Sequence, residues 1–429
     1  MDHDTIFAVA SGAGRAAVAV MRISGPDSRR LLAGLCRSVP PPRHAALRRL
    51  RDQTGTELDR ALVLWLPGPA SYTGEDSAEL HLHGGRAVLD GVADALVTLG
   101  ARPAQPGEFT RRAFLNARMD LLEAEAVADL VAAETAAQRR QALRQLEGEL
   151  SALYRDWADR LLKLMAQQEA QIDFPDEDLP PEVEAAIIAE IASLRTQMAA
   201  HLADRRRGER LREGLIFAVT GPPNVGKSAL VNALAERDVA IVSATPGTTR
   251  DALEARVVLC GVPVTLVDTA GLRDTADEIE AEGVRRALAR AADADLVIVV
   301  AEAGHPIPPQ PNDNQIHVAN KIDLGGVVPA GAIGVSALTG AGLDALRDRL
   351  ASEARALTQS TGPPPLTRAR HRAALQEASA RLADAQQADL PELRAEDLRL
   401  ALRAVGRITG QVGVEDILDA LFAQFCIGK

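Results

Sequence analysis

Three short runs near the start of the chain are β-like: Ala17 to Ile23 and Ala61 to Leu66, almost wholly apolar, and Ala78 to His83, in which apolar and polar residues alternate. Such runs between Gly and Pro punctuation predict β-strands. The run from Ala87 to Leu99 predicts a helix beside them, so residues 1–118 read as a compact α/β domain. After Pro106 the pattern changes, and no further proline occurs before Pro175. Leu143, Leu146, Leu150, Leu153, Trp157, Leu161 and Leu164 recur at spacings of three and four, the stripe of one long amphipathic helix. Pro175, Pro180 and Pro181 end it, and Val183 to Arg212 is again helix-compatible.

A third pattern begins at Leu215. Buried-strand runs at Leu215 to Thr220, Val262 to Val267, Leu296 to Val300 and Ile316 to Ala319 are separated by helical sequence, which predicts a parallel, doubly wound sheet. A Ser, Thr, Gly and Pro linker, Gln359 to Pro365, leads into Ala- and Arg-rich helical sequence. Helical sequence thus flanks the α/β block on both sides. The economical architecture is an α/β domain (214–356) inserted into an all-α domain built from residues 119–213 and 357–429.

A chain of 429 residues has room for about three domains. Its 47% hydrophobic and 25% charged residues are those of a globular protein rather than a disordered one. The formal charge of -11 excludes a general polyanion binder, so any nucleic-acid contact is local. With 2 Trp, 2 Tyr and 7 Phe there is no platform for stacking successive bases. Cys36, Cys260 and Cys426 are far apart and in no C-x-x-C pair, which points to neither disulfides nor zinc and suits a reducing cytoplasm. The strongest apolar run, Leu296 to Ala301, is far short of the roughly 20 residues that span a bilayer, and no export signal is evident.

The chemistry lies in the inserted block. Gly221-Pro-Pro-Asn-Val-Gly226-Lys227-Ser228 follows a predicted strand and opens a predicted helix, the context in which G-x-x-x-x-G-K-[ST] binds phosphate. The glycines let backbone N–H groups close on phosphate oxygens, Lys227 neutralises charge there, and Ser228 offers a hydroxyl to Mg²⁺. Asp268-Thr269-Ala270-Gly271 ends a strand, placing Asp268 for the metal's water and the Gly271 N–H for the γ-phosphate. In Asn320-Lys321-Ile-Asp323, Asp323 can accept from N1–H and the exocyclic amine of guanine, a donor pair adenine lacks. Ser336-Ala337-Leu338 braces the base, and Gly247-Thr248-Thr249-Arg250-Asp251 supplies Thr249 to Mg²⁺. Five motifs in order within about 120 residues define a GTPase. Leu272 stands where signalling GTPases carry a water-orienting glutamine, so water must be placed another way.

With these motifs, Asp4-Thr-Ile6, Arg22-Ile-Ser-Gly25, Tyr72-Thr-Gly-Glu-Asp76, His83-Gly-Gly85, Pro106 to Asn116, Asp173-Phe-Pro-Asp176 and the terminal Phe425-Cys-Ile-Gly-Lys429 span the chain end to end. The sequence resembles the MnmE (TrmE) family of tRNA-modification GTPases. The resemblance implies an N-terminal α/β domain that dimerises and binds tetrahydrofolate, a central all-α domain, and an inserted Ras-like P-loop G domain. It implies a homodimer that works with the flavoprotein MnmG on carbon 5 of the wobble uridine of certain tRNAs. It also implies 5-formyl- or methylene-tetrahydrofolate as the folate donor. Residue by residue, it places nucleotide contacts on Asn224, Val225, Gly226, Lys227, Ser228, Ala229, Ser243, Ala244, Thr245, Pro246, Gly247, Thr248, Thr249, Asp268, Thr269, Ala270, Gly271, Asn320, Lys321, Asp323, Ser336, Ala337 and Leu338. It implies K⁺ held by Asn224, Ser243, Thr245 and Thr248, with Glu280 orienting the water and Lys227 and Asp268 in the catalytic set. It places folate contacts on Arg22, Glu79, Arg118 and Lys429, while Cys426 reads either as an inert apolar residue or as a thiol near that site. Some relatives have lysine at Arg118, and Ser11 to Ala17 departs from the family's Pro- and Gly-rich run.

Plainer readings stand beside these. His83 has no acid paired with it in sequence and reads as a turn residue. Arg205-Arg-Arg207 and Arg368 to Arg372 read as solvated helix faces, with tRNA contact the other possibility. A ribosome-assembly GTPase or a nucleotide-switched scaffold would share the switch motif, but neither requires a folate.

Overall fold

The structure, a computed structural model, describes residues 4–12, 14–173, 181–237, 254–268, 294–306, 314–359 and 364–412, together with 418, 421–423, 425 and 428. It divides into two compact units, one of Met1–Ala128, Leu146–Leu162 and Leu402–Lys429, the other of Asp129–Gln145 and Lys163–Ala401. Each draws helical sequence from both sides of the inserted block.

In the first unit, strands β1 (Ile6–Val9), β2 (Ala16–Ser24), β3 (Ala46–Arg51), β4 (Glu57–Leu66), β5 (Ser77–Gly84) and β6 (Arg102–Pro103) form a sheet in the order β3-β4-β5-β2-β1-β6. Pairing is antiparallel except between β1 and β6. Successive side chains point to opposite faces. Met21, Ile23, Val63 and Leu80 therefore pack on one side against Leu31 and Leu35 of helix Ser28–Cys36 and Val92 and Leu96 of helix Arg86–Thr98. On the other side Ile6 and Ala8 meet Phe109 of helix Glu108–Leu115 and Tyr72. Arg22 and Glu79 belong to this second face.

The chain's last stretch belongs to the same unit. Leu418, Leu421, Phe422 and Phe425 bury against Leu121 and Ala124. At Gly107 (φ +68°) a Cβ would lie 2.7 Å from the Phe422 carbonyl oxygen, and at Gly428 (φ +98°) 2.3 Å from that of Val9. Only glycine fits at such approaches.

In the second unit, strands β7 (Leu215–Thr220), β8 (Glu254–Leu259), β9 (Val262–Asp268), β10 (Leu296–Glu302), β11 (Gln315–Asn320) and β12 (Ile333–Gly334) form a sheet in the order β12-β11-β10-β7-β9-β8. It is parallel except for β8, an antiparallel edge strand absent from the sequence-based expectation. Its hairpin turns at Cys260 and Gly261, both at positive φ, as a two-residue turn between twisted strands requires. Phe217, Val219, Leu266, Ile298 and Val318 carry the core, with Leu230, Leu234, Leu346 and Leu350 from the helices around them.

Two helical expectations are corrected. The stripe through Leu143 and Leu164 is not one helix but two, Ala136–Leu146 and Glu149–Asp173, with Gly148 at φ +81° in the break. Val183 to Arg212 likewise divides into Pro181–Leu202 and Arg207–Glu213, where Arg205 and Arg206 adopt positive φ. The run Arg368 to Arg372 is not a solvated face, whereas Arg205 and Arg206 are exposed as a solvated run is. Arg372 donates to Glu209 (2.8 Å) and Asp204 (2.6 Å), and Arg368 to Asp129 (2.7 Å), all partly buried. Arg206 reaches Glu209 (2.9 Å). These bonds clamp the neck of the insertion, where Arg212 Nε donates to the Thr367 carbonyl (2.8 Å) and a Cβ on Gly208 would lie 2.3 Å from the Leu366 oxygen.

Candidate functional site

The loop from β7 into helix Lys227–Arg237 starts pressed on β10, since a Cβ on Gly221 (φ +144°) would lie 2.1 Å from the Val300 oxygen. Asn224 (φ +64°) and Gly226 (φ +91°) also take positive φ. Such a turn gathers backbone N–H groups into a concavity at a helix N-terminus, where the helix dipole favours an anion. Lys227 is buried, and its Nζ donates to the carbonyls of Gly221 (2.8 Å) and Pro222 (2.7 Å), so the ammonium spans the mouth of the loop. Ser228 Oγ donates to the buried carboxylate of Asp268 at the end of β9. A hydroxyl and a carboxylate side by side at a phosphate cradle are hard oxygen ligands that fit Mg²⁺.

Asn320, buried at the end of β11, joins two segments. Its Nδ2 donates to the Val225 carbonyl (2.8 Å) and its Oδ1 accepts from Ala337 N (3.1 Å). Sequence reading did not foresee this brace between phosphate loop and base-bracing loop, because its partners are backbone atoms 95 and 17 residues away. Lys321 sits at φ +62° with Nζ on Glu302 (2.8 Å), and Asp323 follows on an exposed 3₁₀ turn. Ser336 is buried and its Oγ accepts from Thr339 N (3.1 Å), which turns Leu338 outward, 87% exposed. The structure thus gathers Asn224 to Ala229, Asp268, Asn320 to Asp323 and Ser336 to Leu338 at the carboxyl ends of parallel strands, where open α/β sheets bind ligands. Ser243, Ala244, Thr245, Pro246, Gly247, Thr248, Thr249, Thr269, Ala270, Gly271 and Glu280 lie outside the described residues. Replacing Gly226 by Ala puts a Cβ 2.5 Å from Asn320 Nδ2 at a disfavoured φ. Affinity for a fluorescent guanine nucleotide should fall about tenfold, from the roughly 1–2 kcal/mol of left-handed strain. Unchanged affinity would dismiss the close fit.

A second constellation occupies the first unit. Arg22 donates through Nε (3.1 Å) and Nη2 (3.0 Å) to Glu79 Oε1, and its guanidinium lies 5.0 Å from the Tyr72 ring centroid and 5.7 Å from that of Phe109. Burial pushes the Tyr72 phenol up in pKa, against its hydrogen bond with Thr110. Arg118 packs its stem against Gly74, and Asn116 donates to the Thr73 carbonyl (2.7 Å). Gly428 rests on Val9 and Ala10, beside Ala8, the register partner of Arg22. Lys429 and Cys426 lie outside the described residues. Nearby, a cleft of about 650 Å³ is lined by Glu75, Arg102, Glu108, Arg111, Arg112 and Phe422, none of them signalled by sequence spacing. His83 has an acid partner after all: Asp59 accepts from its backbone N (2.9 Å) and bonds its Nδ1 (2.7 Å), and these bonds hold the Asp59 carboxyl below the usual range despite its burial.

The profile described as GTP-binding protein TrmE N-terminus matches residues 5–118, and that of the MnmE helical domain matches residues 121–426. The tRNA modification GTPase MnmE of Gluconacetobacter diazotrophicus is 62% identical over 430 residues, covering 99% of this chain and 98% of that protein. That of Granulibacter bethesdensis is 58% identical over the whole of both chains. The chain belongs to the MnmE family. As a member of that family it is a GTP hydrolase acting in tRNA modification, and its chemistry needs GTP and a metal ion such as Mg²⁺. The MnmE architecture accounts for both sheets and for helical sequence on either side of the second. Among the described residues no helix is long and apolar enough to cross a membrane.

Proposed function

We propose that this chain is a potassium-activated GTPase that dimerises in the cytoplasm and, with the flavoprotein MnmG, installs a carboxymethylaminomethyl or aminomethyl group on carbon 5 of the wobble uridine of certain tRNAs. The observation that carries the reading is the placement of the terminal segment: Gly428 on Val9, one strand from the Arg22–Glu79 pair. A terminal residue seated beside the strand that pairs with Arg22 supports a role for the tail at that site.

In this reading residues 1–118 form the folate and dimerisation domain, 119–213 with 357–429 the helical domain, and 214–356 the G domain. Arg22, Glu79, Arg118 and Lys429 hold the tetrahydrofolate, which supplies the one-carbon unit when bound, and Cys426 stands near it. In the G domain Lys227 neutralises phosphate charge, Asp323 selects guanine, and Ser228 and Thr249 bind Mg²⁺ with Asp268 behind them. Asn224, Ser243, Thr245 and Thr248 hold K⁺. Glu280 orients the attacking water, the task left open by Leu272.

Nucleoside mass spectrometry of tRNA from a strain lacking the gene tests the reading. The C5-substituted wobble uridine should disappear and return on complementation. An unaltered nucleoside profile would dismiss the assignment.

A further inference from the structure

His81 lies one pleat beyond Glu79 on β5, on the same sheet face, opposite Val20 of β2 and Leu62 of β4. Its Nε2 is buried and has no hydrogen-bond partner. Buried polar atoms are nearly always satisfied, and an exception calls for an explanation. The acidic group beside it is Glu79, whose Oε2 stands 3.9 Å away while Oε1 is taken by Arg22. The cross-strand neighbours Val20 and Leu62 are apolar and offer Nε2 nothing. A ring-nitrogen lone pair facing a carboxylate would be repelled, whereas an Nε2–H would be attracted to it.

We infer that His81 is a positioning residue for the folate site: its Nε2–H closes on Glu79 Oε2 when ligand binds, so that Arg22 and His81 hold the carboxylate from both sides. The inference rests on the folate reading above. The 3.9 Å separation is longer than a hydrogen bond and within one side-chain adjustment of it. An ionised carboxylate with one oxygen bonded and the other oriented presents a fixed acceptor to a heterocycle's N–H groups, and fixing it beforehand lowers the cost of binding.

The test measures 5-formyl-tetrahydrofolate binding to the full-length protein by titration calorimetry. His81→Leu, which suits its apolar neighbours, should weaken binding about 10- to 100-fold, the range of a hydrogen bond to a charged group. His81→Gln keeps an N–H donor and should recover most of that loss, which a merely space-filling role does not predict. In a Glu79→Gln background, His81→Leu should add nothing. A thermal melt of the first unit that matches wild type reports intact folding. If wild type binds no folate, the folate reading itself falls. If wild type binds, Glu79→Gln weakens binding and His81→Leu does not, only the role of His81 is overturned. Should the Leu variant unfold, His81→Asn, whose donor is too short to reach, replaces it against Gln, and equal affinities of those two overturn the role.

Discussion

Exchanging K⁺ for Na⁺ should slow GTP hydrolysis by this protein by about a hundredfold or more, and Asn224→Ala should erase the difference between the two salts. The charge that develops between β and γ phosphates is stabilised in other GTPases by an arginine finger worth about 10³ to 10⁵ in rate, and a monovalent cation at the same place supplies the same unit of charge. Among the described residues, Asn224 at φ +64° is one of the few non-glycine residues in the left-handed region. Asparagine tolerates that conformation better than most residues, so its presence alone has a local explanation. Asn224→Gly separates the two. It retains the conformation and removes the amide oxygen, so if the side chain holds K⁺ the Gly variant should lose salt selectivity as the Ala variant does. Hydrolysis by the Gly variant that remains K⁺-dependent would sink the assignment.

Deleting Phe425 to Lys429 should abolish the modified wobble uridine while GTP hydrolysis stays within about the twofold scatter typical of remote changes. The described residues of the tail, Phe425 and Gly428, are packed. Phe425 is buried, its ring centroid 5.3 Å from that of Phe422, and Phe422 closes on Gly107. Removing a buried Phe typically costs about 3–5 kcal/mol, so truncation also weakens the first unit. Gly428→Val isolates the terminal contact, because it leaves Phe425 in place and drives a side chain into the Val9 oxygen, 2.3 Å from where its Cβ must stand. The Val variant should melt near wild type yet fail to restore modification in a complementation test. Normal modification by both variants would show that the terminal motif has no part in the chemistry.

How legible a feature was in the sequence depended on how far apart its parts lie. The phosphate loop spells itself out because Gly221, Gly226, Lys227 and Ser228 act on one ligand from one turn. Arg22 and Glu79 are 57 residues apart, and nothing in composition or periodicity joins them. Resemblance named them, and the register of β2 on β5 is the physical reason they meet. Asp59 and His83 escaped notice for the same reason, although only 24 residues separate them. Local errors had local causes. Gly148 interrupts a stripe whose spacing runs on through it, and β8 was missed because the pair Cys260-Gly261 is a weak turn signal. The second arginine run misled because charge along a helix is ordinarily solvated, whereas Arg368 and Arg372 find the carboxylates of Asp129 and Glu209 on other helices.

The clamp at the neck of the insertion bears on the order in which the chain assembles. Arg212 and Thr367 touch although 155 residues separate them. Closing a flexible loop of that length costs about 4–5 kcal/mol in chain entropy. Once the inserted sheet has folded around its own core, its two ends emerge side by side and most of that search is already complete. The bonds of Arg372 to Asp204 and Glu209 then fasten neighbours instead of strangers. Folding of the inserted domain should therefore precede docking of the two helical halves, and during synthesis those halves must wait until the second has emerged.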